Sequence, residues 1–169
     1  MVLQLAGGFG VGPIEKIYKA LLEIERPMEI VIVCGKNAAA KKGVEAIACP
    51  KRHRCKVLGF TDQMDELMAA ADLVVSKPGG LTTSETLARG AAMVIVNPIP
   101  GQESRNSDFL LENGAAVKAN NLQLLVYKVD ALLADPVRLA QLQANAARLA
   151  RPNAAFDVAT RALQFVRPG

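Results

Sequence analysis

The sequence contains little of what several common kinds of functional site require. Its 169 residues include no tryptophan, a single histidine and only 4% aromatic residues. So few rings leave little material for stacking bases, and the basic residues are mostly scattered among acidic ones, so no nucleic-acid partner is expected. No apolar run approaches the roughly 18 residues that suggest a membrane span. The length of 169 residues predicts one domain covering residues 1–169, and the composition, 51% hydrophobic and 21% charged, is that of an ordinary globular protein.

The chain begins with neither a basic leader nor a cleavage pattern, so no signal peptide is expected. Three cysteines, an odd number, then point to a reducing cytoplasm and to free thiols rather than disulfides. Cys49, His53 and Cys55 are close enough in sequence to suggest zinc. Their spacing matches no standard ligand pattern and no fourth ligand is evident, so no metal site is expected.

The net charge of +4 is densest in residues 51–56, Lys-Arg-His-Arg-Cys-Lys. Such a run is usually a solvated loop. The alternative is a surface that contacts anionic lipid.

Short apolar, β-branched runs alternate with longer helical patterns, which predicts repeated βα units. The expected fold is α/β: a Rossmann-like parallel sheet of about six strands with helices on both faces and a helical C-terminus. Strands are expected at residues 2–5, 29–34, 55–58, 73–75, 92–96 and 115–117, and helices at residues 13–23, 38–46, 63–71, 83–89, 103–112, around 139–149 and 154–165. Because a core strand begins directly after Met1, we expect the chain to be half of a larger protein.

A glycine-rich turn, residues 7–13, follows the first strand and opens a helix at Pro13. It is not the dinucleotide fingerprint, because Pro13 occupies the third glycine position, and it is not a P-loop, because no Gly-Lys-Ser/Thr follows. The turn serves either tight strand-to-helix packing or nucleotide binding. The candidate binding residues are Gly8, Phe9, Gly10 and Gly12.

A second turn, Ser-Lys-Pro-Gly-Gly-Leu-Thr-Thr-Ser-Glu at residues 76–85, links the fourth strand to the next helix. Backbone N–H groups at a helix start are unpaired and lie at the positive end of the helix dipole, so they favour a diphosphate. Glu85 either forms a capping box with Thr82 or accepts hydrogen bonds from the two ribose hydroxyls. Lys77 either faces the diphosphate or is solvated. The candidate binding residues are Lys77, Gly79, Gly80, Leu81, Thr82, Thr83 and Glu85.

A third loop, residues 98–106, follows the fifth strand and supplies Gln102, Glu103 and Asn106. If a helix starts near Glu103, the amides of Gln102 and Asn106 share one helix face, where they can bond sugar hydroxyls or simply face solvent. All three loops follow the carboxyl ends of predicted parallel strands, where open α/β sheets bind ligands. That shared position favours binding.

These residues resemble the C-terminal, donor-binding half of GT-B lipid glycosyltransferases, which include bacterial processive diacylglycerol glucosyltransferases and plant monogalactosyldiacylglycerol synthases. The similarity covers nearly the whole chain and is strongest in residues 59–64, 76–82 and 98–106. The sequence at residues 77–80 looks nearer to the bacterial enzymes. A cell-wall lipid N-acetylglucosaminyltransferase shares the Gly-Gly-x-Thr-x-x-Glu spacing of residues 79–85 and is one alternative. A nucleotide-binding module without chemistry is another.

The resemblance implies a role for each loop. Phe60 and Thr61 would lie beside uracil, residues 8–12 and 80–83 near the diphosphate, Glu85 on the ribose, and Gln102 with Asn106 on the hexose.

The implied reaction is inverting transfer of a hexose from UDP-hexose to diacylglycerol, without metal or other cofactor. The resemblance also implies a peripheral protein at the cytoplasmic face of the membrane. The acceptor domain and the general base would belong to a missing N-terminal half. No catalytic residue is therefore assigned, and the chain is expected to bind UDP without efficient turnover.

Overall fold

The computed structural model describes residues 1–8, 10 and 12–165. Within them, six strands form one parallel sheet: β1 (Val2–Leu5), β2 (Glu29–Val33), β3 (Arg54–Leu58), β4 (Leu73–Ser76), β5 (Ala92–Val96) and β6 (Ala116–Ala119). Their order across the sheet is β3-β2-β1-β4-β5-β6. Strands β1, β4 and β5 are buried along their whole length. Burial on both faces explains why their sequences are almost entirely apolar, with Gln4 and Ser76 as the exceptions.

Eight helices follow the strands or end the described chain: α1 (Ile14–Leu22), α2 (Ala38–Glu45), α3 (Met64–Ala70), α4 (Gly80–Ala88), α5 (Gln102–Glu112), α6 (Leu122–Ala134), α7 (Pro136–Leu149) and α8 (Ala154–Leu163). One sheet face packs against α1 and α6, which contribute the buried Tyr18 and Leu125. The other face packs against α3, α5 and α7 through Met68, Leu110 and Ala146. The expected sheet with helices on both faces is confirmed.

The strand registers bring the carboxyl ends of β1, β2 and β3 to one level. Leu5 pairs with Val33, and Val33 pairs with Leu58. The loops that leave these three strands therefore start side by side at the same edge of the sheet. This edge is where the candidate site lies.

One difference from the predicted boundaries is the start of α4, which begins at Gly80 rather than at Thr83. Gly79 is the residue before the helix and has an extended backbone. Glycine is unfavourable in the interior of a helix. The helix start differs from the interior, because the N–H groups of the first turn have no intrahelical partners. Both glycines therefore belong to the helix start.

The expectation that all cysteines are free thiols was wrong. Cys49 and Cys55 form a disulfide, with Cα atoms 6.1 Å apart, whereas Cys34 is free and buried. The His53 N–H donates to the Pro50 carbonyl at 2.9 Å, and this turn folds the connection back toward the start of β3. The two cysteines are thereby brought within disulfide range.

The basic run at residues 51–56 is only partly a solvated loop. Lys51, Arg54 and Lys56 are exposed. His53, in contrast, is buried. The Arg52 guanidinium donates to the Leu22 and Ile24 carbonyls at 2.7 and 3.1 Å, and so caps the C-terminus of α1.

The final helix, α8, lies on the surface with every residue exposed, including Phe156 and Leu163. Over the residues that the structure describes, no helix combines the length and the apolar character needed to span a bilayer.

Candidate functional site

The site is organised by a crevice between β1 and β4. The chain leaves β1 toward β2 on one side and leaves β4 toward β5 on the other. The loops after these two neighbouring strands therefore diverge, and they leave an opening at the carboxyl edge of the sheet. In open α/β sheets, such a point is where ligands bind.

The first loop, residues 7–13, needs glycine at position 10 for structural reasons. Gly10 has a φ of +63°, and a Cβ there would lie 2.4 Å from the Asn37 Cβ and from the Cys34 carbonyl oxygen. The Asn37 side chain donates to the Gly10 carbonyl at 2.9 Å. At Gly10 the structure therefore supports the packing interpretation of the turn. Phe9, another candidate residue, lies outside the described residues.

Gly8 differs from Gly10, because no atom lies within 4 Å of the place a Cβ would occupy and its φ is not positive. Neither backbone strain nor packing requires glycine at this position. Gly12 also has open space around it, although its φ is +128°. Gly8 and Gly12 thus leave main-chain atoms of the loop open to a ligand.

The second loop, residues 77–79, leads into the N-terminus of α4. Gly79 precedes the helix, and within the described residues no side chain caps it. The capping-box alternative for Thr82 and Glu85 is therefore wrong: Thr82 lies inside the helix, and Glu85 is exposed without a hydrogen-bond or ion-pair partner in the described part of the chain. The first-turn N–H groups of α4 remain available for an anion.

The third loop is tied to the second. Asn106 donates from Nδ2 to the Pro78 carbonyl at 2.9 Å, and Gln102 Nε2 lies 3.7 Å from the position of a Cβ on Gly80. Both amides are in α5, one turn apart, so the expected shared face is confirmed. The Glu103 carboxylate accepts from the Ile99 N–H at 2.7 Å, and this hydrogen bond lies within the third loop. Asn106 and Glu103 thus hold the loops, and Gln102 is the exposed amide beside Gly80.

A cavity of about 280 Å³ opens beside the crevice. Its walls are mostly apolar, and its polar groups include the Thr61 and Thr82 hydroxyls and the Glu85 carboxylate. The lining residues are Leu5, Gly7, Gly8, Val33, Gly35, Phe60, Thr61, Met64, Met68, Leu81, Thr82 and Glu85. A mostly apolar cleft with a few convergent polar groups has the character of a small-molecule site.

The structure thus brings six of the predicted residues into one cavity: Gly8, Phe60, Thr61, Leu81, Thr82 and Glu85. Lys77 and Gly12 line a smaller depression at the crevice itself. Thr83 is buried, and its hydroxyl has no hydrogen-bond partner among the residues described.

Three residues that support the site were not expected from the sequence. Gly35, Lys36 and Asn37 follow β2 and pack directly on the first loop. The Lys36 N–H donates to the Gly8 carbonyl at 3.1 Å, and Asn37 caps α2 by accepting from the Ala40 N–H at 2.9 Å. The one available signal was a glycine directly after a strand, followed two residues later by an asparagine able to cap a helix.

Comparison with known proteins defines the class. The structure matches that of MurG from Acinetobacter baumannii with a TM-score of 0.82 and 26% identity, covering 97% of this chain and 49% of that chain. The fold is therefore the Rossmann-like half of a GT-B glycosyltransferase. The sequence profile of the glycosyltransferase family 28 C-terminal domain matches residues 13–158. The chain belongs to this family.

Curated relatives give the same assignment at the level of sequence. The processive diacylglycerol beta-glucosyltransferase of Bacillus subtilis (strain 168) is 34% identical over 86% of this chain and 38% of its own length. The enzyme of the same name from Bacillus licheniformis is 32% identical over 95% of this chain and 42% of its own length. The chain thus spans about two fifths of the length of these relatives.

Proposed function

We propose that this chain is the donor-binding domain of an enzyme that transfers a hexose from UDP-hexose to diacylglycerol. The observation that carries the proposal is the β1/β4 crevice. There the N-termini of α1 and α4 have no side-chain cap in the described residues. The first turn of α4 lines the cavity that contains Glu85, and the start of α1 lines the depression that contains Lys77. Helix N-termini suit a diphosphate, apolar walls suit a base, and a free carboxylate suits the paired hydroxyls of a ribose.

The proposed chemistry is a single displacement with inversion. An acceptor hydroxyl gives its proton to a base and attacks the anomeric carbon, while the bond from that carbon to the UDP oxygen breaks and its electron pair leaves with UDP. The two helix N-termini would stabilise the negative charge that grows on the diphosphate, so this step requires no metal. We place the base outside these 169 residues.

Sequence identity favours diacylglycerol as the acceptor over a cell-wall lipid. The relatives named as diacylglycerol glucosyltransferases reach 35% identity, whereas MurG of Acinetobacter baumannii, one of the structural matches, is 26% identical. An N-acetylglucosaminyltransferase function is the second candidate, and the fold likeness supports it.

A lipid acceptor further suggests a peripheral location at the cytoplasmic face of the membrane. The exposed Lys51, Arg54 and Lys56 could contact anionic headgroups there. Flotation of the chain with phosphatidylglycerol vesicles tests this contact. No flotation with these vesicles at low salt would contradict it.

The donor site is tested by calorimetric titration with UDP, UDP-glucose, UDP-N-acetylglucosamine and NAD. Glu85→Ala should weaken UDP binding roughly tenfold or more, because hydrogen bonds to a charged group are lost. Glu112→Ala, which removes an exposed carboxylate at the end of α5, is the matched control and should leave binding unchanged. EDTA should have no effect on the wild-type titration.

The same titration separates the alternatives. Tighter binding of UDP-N-acetylglucosamine than of UDP-glucose would favour the cell-wall enzyme. Binding of NAD in preference to UDP, or equal UDP affinity of Glu85→Ala and wild type, would contradict the proposed donor site.

A further inference from the structure

Lys36 directly follows Gly35, which lines the cavity, although it belongs to none of the three predicted loops. Its main-chain N–H donates to the Gly8 carbonyl at 3.1 Å. Its side chain reaches the neighbouring strand end, where Nζ lies 5.5 Å from the centroid of the Phe60 ring. One residue therefore contacts both the first glycine-rich loop and an aromatic wall of the cavity.

Phe60 needs such a restraint. The residue is 68% exposed, so the protein core does not fix its ring in one orientation. A cation over the face of an aromatic ring is attracted to it by the quadrupole of the ring. If the ring is already held in one orientation, less side-chain conformational entropy is lost when a ligand packs against it.

The backbone of Lys36 is well anchored, which makes it a suitable support. Gly35, directly before it, packs against the Gly7 and Gly8 carbonyls, and Asn37, directly after it, donates to the Gly10 carbonyl. The ammonium thus extends from a fixed point toward a ring that is otherwise free. It forms no ion pair within the described residues that would draw it elsewhere.

We propose that Lys36 is a positioning residue for nucleotide binding, which holds the Phe60 ring as the wall against which the base packs. The inference rests on the proposed UDP site and adds a residue to it. Lys36 would act through Phe60 and not by direct contact with the nucleotide.

A double-mutant cycle measured by UDP titration tests this dependence. Lys36→Met should weaken UDP binding about two- to fivefold, the range expected from an exposed cation–π contact. Lys36→Arg keeps a cation over the ring and should restore affinity. Phe60→Leu should weaken binding roughly fivefold or more through lost base stacking. Lys36→Met should then cause no further loss in the Phe60→Leu background.

Lys42→Met is the matched control, because Lys42 is an exposed lysine of α2 and the substitution removes the same charge. It should bind UDP like the wild type. Circular dichroism should show the native helix content for every variant, since Lys36, Phe60 and Lys42 are all exposed.

The cycle has three outcomes against the inference. If Lys36→Met weakens binding equally in the wild-type and Phe60→Leu backgrounds, Lys36 acts on the nucleotide directly. If Lys36→Met binds UDP as tightly as Lys42→Met does, Lys36 has no role in binding. In both cases the donor site itself stands. Failure of the wild-type chain to bind UDP would overturn both the proposed function and this inference.

Discussion

Gly35→Ala is the substitution whose effect the structure determines most directly. Gly35 has a φ of +60°, and a Cβ there would lie 2.6 Å from the Gly7 carbonyl oxygen and 2.7 Å from that of Gly8. Alanine in the left-handed region costs about 1–2 kcal/mol, and overpacking against fixed backbone costs about 1–3 kcal/mol more. We expect a total loss of about 2–5 kcal/mol in the free energy of unfolding, measured by urea denaturation followed by circular dichroism.

Gly8→Ala is the matched control for this experiment. It adds the same methyl group to the same loop, but at a position with no atom within 4 Å and no positive φ. Its unfolding free energy should stay within about 0.5 kcal/mol of the wild type. Its UDP affinity should nevertheless fall, because the new methyl stands where the ligand approaches the main chain. A Gly35→Ala protein as stable as the wild type would refute the described contact between the two loops.

Two further predictions concern Asn106 and Cys34. Asn106→Ala should lower the unfolding free energy by about 1 kcal/mol, because the hydrogen bond to the Pro78 carbonyl is lost. Asn106→Asp should lower it more, because a carboxylate cannot donate to that carbonyl. Variants as stable as the wild type in urea denaturation would contradict this. Burial, and then the charge of Glu45, raise the pKa of the Cys34 thiol in the folded protein. As the pH rises, this thiol therefore ionises in the unfolded chain before it ionises in the folded one, so the free energy of unfolding should fall above about pH 9. Cys34→Ala should show a shallower fall in the same urea titrations, and an unchanged slope would contradict the assignment.

The sheet was predictable from sequence because its strands are short and its central ones, β1, β4 and β5, are buried along their whole length. A run such as Ala92–Val96 has no polar position and is too short for a typical helix, so it favours a strand covered on both faces. The order of the strands was not readable in the same way, since it depends on how helices pack on each face. The Cys49–Cys55 disulfide depended likewise on a turn at Pro50 that gives no strong local pattern.

In the candidate site, too, the features set by local sequence were predictable and those set by tertiary contacts were not. The glycine-rich turns were visible because tight strand-to-helix turns require glycine at defined positions. The support from Lys36 and Asn37 was missed, because their contacts with Phe60 and Gly10 join loops that are adjacent in space and distant in sequence. The separate roles of Gln102 and Asn106 also depended on tertiary contacts: one is exposed beside Gly80, while the other bonds Pro78.

The central claim is that two uncapped helix starts and one carboxylate form a uridine diphosphate site, and a crystal structure of the chain soaked with UDP tests it most directly. We expect the diphosphate between the loop of residues 7–13 and the N-terminus of α4, with the ribose hydroxyls at Glu85. UDP bound at another surface, or an empty crevice at saturating UDP, would contradict the account.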